Sequence, residues 1–332
     1  MKQDIQTVFF ERVKQRAKSN ISLVDEIADL LQISNDSAYR RLRGETAITL
    51  EEAAVLSKHF GVSLGEISPG KSDTVLFGRS TFRDQPLEFE EFLTKTSEYL
   101  QRIADTKEKH GIYAAKDIPI FHHFQIPEMG MFKLFFWLKT IRANQAIDAV
   151  KFDFNIIPPE LMKKSRALAK IYFQIPFTEI WNEDTGNAAL RQIEYFHEAG
   201  WLANKSVALK LCDAFEEVIR TIHNQTETGF KWFDGKQVHP DVPFELYYND
   251  LVGLDNSIFV ATDQFPVSMI GYNELDYLFT SHPGFCREAQ SFLQKQISKS
   301  MLLSGSSERE RNKFFNRIYH KIITLKAKIV AS

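Results

Sequence analysis

Between Ser34 and Gly44 the chain reads SNDSAYRRLRG, short hydrogen-bonding side chains followed by three arginines. On one helix face, Asn35, Asp36, Ser37 and Arg40 would offer donors and acceptors to base edges in a major groove. Arg41, Arg43 and Tyr39 are residue types that grip phosphates and fix register, and Ser34 stands where a helix N-terminus takes a phosphate. Taken singly, each residue also suits a solvated helix face, and Tyr39 a half-buried packing position. It is as a set that they point to a groove reader.

Other chemistry-bearing residues form weaker patterns. Gly65, Gly70, Lys71 and Ser72 spell GEISPGKS, which satisfies the phosphate-loop pattern GxxxxGK[ST]. That loop cradles phosphate where it joins a buried strand to a helix. Here helical sequence precedes it, and DTVLFGR, which follows, has no helical face, so the segment reads as a linker. His122 and His123 are adjacent and, on a strand, point to opposite faces, which prevents joint metal ligation. Cys212 and Cys286 make neither a CxxC pair nor a disulfide framework. GxSxG, HExxH and a GxGxxG after a strand are absent from the sequence. The acidic groups Glu179, Glu183 and Asp184, and Glu216 with Glu217, read as solvated faces. No catalytic residue, cofactor site or metal site is assigned, and the chain is expected not to be an enzyme.

Two short helices would position the Ser34–Gly44 residues. The first runs from a Ser22 cap through Leu31, with Ser22 and Asp25 spaced as in a capping box and Ile27, Leu30 and Leu31 forming an apolar stripe. The second takes Ser34 as N-cap and Gly44 as its stop, because glycine enters the left-handed conformation cheaply. Ala38 and Leu42, four apart, point inward. Asn35, Ser37, Tyr39, Arg40, Arg41 and Arg43 are left outside.

At these residues the sequence resembles the phage-repressor-like (Cro/CI or XRE) helix-turn-helix family. The resemblance rests on Ala28, Ile33, Ser34, Ala38 and Gly44, on a following helix from Leu50 to Phe60, and on the closing GVSLGEI. It covers residues 4–67 and implies a five-helix DNA-binding domain. Three positions depart from the family pattern: Gln32 replaces the turn glycine, Leu42 stands where many members carry Glu, and Val24 replaces a polar residue at the start of the first helix. These bear on how the backbone is clamped, not on the fold. Because one such helix reads only a few base pairs, the resemblance implies a homodimer on double-stranded DNA, with half-sites ~34 Å apart.

With 332 residues, 44% of them hydrophobic, the chain has material for two or three units. Its net charge of −2 argues against binding nucleic acid by bulk charge, so affinity must come from local placement. No signal peptide and no membrane-length apolar run are evident, and the expected compartment is the cytoplasm.

The domain reading is 1–67 for the helix-turn-helix, 68–82 for a linker and 83–332 for a regulatory or dimerisation part, with a further division near 230–243 left open. Helices are expected at residues 88–110, 131–141, 187–199, 206–226, 273–279, 284–303 and 308–329, and another after Pro159. The last has Ser307 and Glu310 in capping-box spacing. Its Phe315, Ile318, Ile322, Leu325 and Ile329 step by three and four, a seam equally suited to its own domain or to a second subunit. A strand is expected at 118–124, and FELYYNDLV, NSIFVAT and FPVSMIGY are expected as antiparallel neighbours in a small sheet.

The fold class expected is thus mainly α with a small α+β part: a five-helix N-terminal domain, then a larger, mostly helical region carrying a short antiparallel sheet. The function expected is transcription regulation through sequence-specific DNA binding. The C-terminal part would dimerise or sense a small-molecule or peptide effector, its aromatic content suiting an apolar pocket. The alternatives are a DNA-tethered protein-interaction module without a ligand, and a nucleotide-binding enzyme using Gly65–Ser72.

Overall fold

A computed structural model describes residues 5–17, 22–62, 75–79, 87–140, 145–238, 242–251, 253–272 and 276–332. The chain divides into two compact units, Met1–Leu76 and Phe77–Ser332. Among the described residues no helix is long and apolar enough to cross a membrane.

The N-terminal unit contains α1 (Ile5–Arg16), α2 (Leu23–Leu31), α3 (Asn35–Leu42) and α4 (Leu50–Phe60). Phe9, Phe10, Val13, Ile27, Ala28, Ala38 and Leu56 form its core. Phe9, Phe10 and Val13 make the buried stripe of α1, and Ile5 is 48% exposed. Ser22 begins α2 without a side-chain cap, so the spacing to Asp25 makes no capping box. The reciprocal box lies instead at α4, between Thr49 and Glu52, and Gly61 closes that helix in the left-handed conformation. Residues 63–67 of the closing GVSLGEI segment and the Gly65–Ser72 pattern lie outside the described residues.

The C-terminal unit overturns the expected fold class. It opens with β1 (Gly78–Arg79), α5 (Leu87–Ala104), β2 (Lys109–Ala114), α6 (Ile120–His123), α7 (Pro127–Thr140), α8 (Gln145–Asp148) and α9 (Pro159–Tyr172). Next come β3 (Phe177–Trp181), α10 (Asn187–Glu198), α11 (Lys205–Thr228), the hairpin β4 (Trp232–Phe233) and β5 (Lys236–Gln237), and β6 (Phe244–Tyr248). It ends with β7 (Ser257–Thr262), β8 (Val267–Gly271), β9 (Tyr277–Thr280), α12 (Pro283–Ser298), β10 (Met301–Leu302) and α13 (Glu308–Ala331). In place of a short antiparallel sheet there is an eight-stranded mixed one, ordered β1-β9-β8-β7-β2-β3-β6-β10.

Its centre is parallel. β3 runs parallel to both β2 and β6, with Ile112 opposite Thr178 and Ile180 opposite Tyr247. Parallel neighbours need long crossovers, which the helices between β2 and β3 and between β3 and β6 supply. Of the three expected strands, β7 and β8 are antiparallel neighbours, whereas β6 is separated from β7 by β2 and β3. Alternation along β2 sends Tyr113 into the large helix-covered core and Ile112 and Ala114 to the opposite face. There they join Phe259 and the α12 residues Cys286 and Leu293.

Five local expectations are also corrected. The helix expected at 88–110 stops at Ala104, and its tail becomes β2. In the run 118–124, Ile120–His123 folds as the short helix α6 with Pro119 at its N-cap, since a brief apolar run carries no decisive periodicity. Tyr277–Thr280 is a strand, not the end of a helix, and α12 ends at Ser298 before β10. Ser307 makes no side-chain cap on α13. The seam of that helix is settled as internal: Phe315, Ile318, Ile322, Leu325 and Ile329 are all buried in the core of this unit.

Candidate nucleic-acid interface and an interior cavity

The third helix starts where Ser34, in extended conformation, accepts a hydrogen bond on Oγ from the Ser37 N–H at 3.3 Å. Ala38 is fully buried, and Gly44, at φ +76°, turns the chain out of the helix. Before α3, the turn residue Gln32 is itself left-handed at φ 52°, so it performs the glycine's task with a side chain attached. Two residues that sequence reasoning overlooked brace the helix. Gln6 on α1 donates to the Arg41 and Thr46 carbonyls, each at 2.8 Å, and accepts from the Ile48 N–H at 3.0 Å. Glu52 on α4 receives Arg41 at two points, Nε at 3.0 Å and Nη2 at 2.9 Å.

The residues read from the sequence as a set therefore divide. Ser34, Asn35, Asp36, Tyr39, Arg40 and Arg43 are exposed and Ser37 is half-buried. Asn35 donates to the Asp25 carboxylate at 2.7 Å. The Arg43 guanidinium lies over the Tyr39 ring, 4.5 Å from its centroid, and both Arg40 and Arg43 come within 4 Å of Glu45. Arg41 is different. Turned onto Glu52, its guanidinium is a structural cation, and its hydrogen bond holds the Glu52 carboxyl below the usual carboxylate range against the opposing effect of burial.

No group of three metal-ligating side chains exists among the described residues. His122 and His123 sit on α6, both buried. His122 Nε2 lies 2.9 Å from Glu179 Oε1, a carboxylate that also accepts from the Tyr172 hydroxyl at 2.7 Å and the Trp181 indole at 2.9 Å. Burial alone would raise the Glu179 pKa, but His122, the charge of Lys231 and the Tyr172 hydroxyl outweigh it and leave the acid below its ordinary value. Glu179, read from the sequence as solvated, is fully buried.

The C-terminal unit holds a partly open cavity of about 750 Å³. Helices α5, α6, α7 and α9 form one side, and strands β2, β7, β8 and β9 the other. Tyr172, held by Glu179, stacks face to face on Phe121 at 4.1 Å, backing that ring where it lines the cavity. Polar groups gather elsewhere: buried Lys133 donates to Asp117 at 3.1 Å and to Gln192 at 2.9 Å, and the Tyr113 and Tyr277 hydroxyls meet at 2.9 Å. Burial, with Tyr277 adding to it, pushes the Tyr113 pKa far up, so its hydroxyl stays protonated. Only the aromatic composition of this region hinted at such a space.

Residues 14–67 match the family model described as Helix-turn-helix. The N-terminal unit therefore carries a helix-turn-helix domain of the Cro/CI (XRE) type, a DNA-binding module. No curated protein and no solved structure is similar to this chain.

Proposed function

We propose that this chain is a sequence-specific transcription regulator of the cytoplasm that binds duplex DNA as a homodimer through α3. The observation that carries the reading is the outward face of α3, where Asn35, Asp36, Tyr39, Arg40 and Arg43 are exposed and the helix is braced from behind. In the groove, Asn35, Asp36, Ser37 and Arg40 meet base edges. Ser34 and the helix N-terminus take one phosphate, and Arg43, stacked on Tyr39, grips another. Arg41 serves by fixing the angle between α3 and α4. The C-terminal unit is the regulatory part.

Gel retardation of promoter fragments by the full chain tests this. Retardation should weaken steeply with salt and be selective among fragments, and Arg40→Ala should lower affinity by about 1–3 kcal/mol. Sedimentation of the protein–DNA complex should show two chains per site. Equal affinity for all duplexes, or an unaltered Arg40→Ala variant, would sink the reading.

A further inference from the structure

The cavity of the C-terminal unit is partly open to solvent and measures about 750 Å³. It falls inside the range of small-molecule sites, ~300–1,000 Å³, and has their usual make-up of apolar walls with a few convergent polar groups. We propose that this cavity binds an uncharged, largely apolar, flat molecule of about three aromatic rings, with a hydrogen-bonding atom at one end.

Three observations select that chemistry. Phe121 stacks face to face on Tyr172, centroids 4.1 Å apart and inclined by only 11°, and Phe177 stacks on Tyr172 from 4.8 Å, so a rigid aromatic column backs Phe121, whose outer ring face is the flat wall offered to the cavity. Stacking on such a wall favours a planar occupant. The buried Lys133 already has its counter-charge in Asp117, and the other cations of the lining, Lys95 with Glu91 beside it and the exposed Arg79, lie at the rim. A charge carried past the rim would enter a low-dielectric space where Lys133 is already neutralised by Asp117, which is strongly unfavourable. A neutral head finds partners instead in the Gln192 and Asn256 amides and the Tyr113–Tyr277 hydroxyl pair, all lining the cavity. The inference concerns the C-terminal unit alone and stands or falls apart from DNA binding.

The test uses two fluorescent probes with the same rings, uncharged N-phenyl-1-naphthylamine and anionic 1-anilinonaphthalene-8-sulfonate, titrated into the full chain. The uncharged probe should bind saturably, one per chain, at least ~10-fold more tightly than the sulfonate. Thr96→Trp on α5 and Met269→Trp on β8 fill the cavity from opposite sides, and each should weaken the uncharged probe ~10-fold while melting cooperatively. On the unaltered chain, the uncharged probe should slow amide exchange in α5 and β8, a readout that does not depend on either variant folding. No saturable binding, sulfonate binding equal to or tighter than the neutral probe, or protection confined to other elements would overturn the proposal.

Discussion

Arg40 and Arg41 stand side by side on α3, yet Arg40 keeps 56% of its side chain exposed while Arg41, at 16%, turns onto Glu52. One is available to a groove and the other is bound into the protein. Truncating each should separate recognition from stability. Arg40→Ala should weaken DNA binding and leave the thermal melt of the N-terminal unit unchanged. Arg41→Ala should lower that unit's stability by about 1 kcal/mol, since a two-point, half-buried contact sits at the upper end for ion pairs near a surface.

The same pair sets a pH dependence. The folded Glu52 carboxyl is held below its ordinary value of 4.5, chiefly by the Arg41 hydrogen bond. Its contribution to stability is therefore present above pH 4.5 and is lost as pH falls through the folded value. Denaturant melts between pH 6 and pH 3 should show a fall that Arg41→Ala makes shallower. An identical slope in both proteins would contradict the assignment.

Gln32→Gly should stabilise the N-terminal unit by about 1 kcal/mol. Gln32 is exposed and left-handed at φ 52°, where a Cβ crowds the following carbonyl and glycine is relieved of that contact. The backbone N–H of Gln32 bonds to the Ala28 and Asp29 carbonyls and survives the substitution. A rise in melting temperature with an unaltered DNA-retardation pattern is the expected result.

Lys231→Met should raise the stability of the C-terminal unit at neutral pH. Lys231 is fully buried, its ammonium 3.7 Å from the Tyr172 ring centroid, and burial pulls its pKa from 10.5 down to about 7 although Glu179 opposes this. Between those values the unfolded chain holds a proton that the folded chain has released, so stability rises with pH from about 7 to 10.5. Below that window the fold carries a buried cation at full cost. Melts at pH 6, 8 and 10 should rise for the natural chain and stay level for the variant.

Ile322→Ala should cost about 2–5 kcal/mol, the usual loss for an aliphatic side chain deleted from a packed core. Ile322 is buried in the seam that α13 turns towards α11 and α10. The number of subunits measured by sedimentation should not change. A variant that altered subunit number while keeping its melting temperature would mean the seam serves an interface after all.

What the sequence determined by itself was local. Ser34 as a cap, Gly44 as a stop and the inward Ala38 are read from neighbours three or four residues apart, and helix ends obey such neighbours. The helices α4, α7, α9, α10, α11 and α13 were legible for the same reason, as was the short apolar run of β7 between turns. Tertiary structure decided whatever depends on distant partners. β3 is buried at every position, so it shows no alternation that would mark it as a strand. The parallel centre of the sheet requires β2, β3 and β6 to meet across intervening helices, a pairing no local pattern encodes.

The same division runs through the candidate sites. Nothing near Arg41 in sequence says that Glu52, on another helix, will hold it. Glu179 looked like part of an acidic face until the fold gathered His122, Tyr172 and Trp181 around it. Charges and polar groups take their roles from what surrounds them once water is removed, and only the folded chain determines those surroundings.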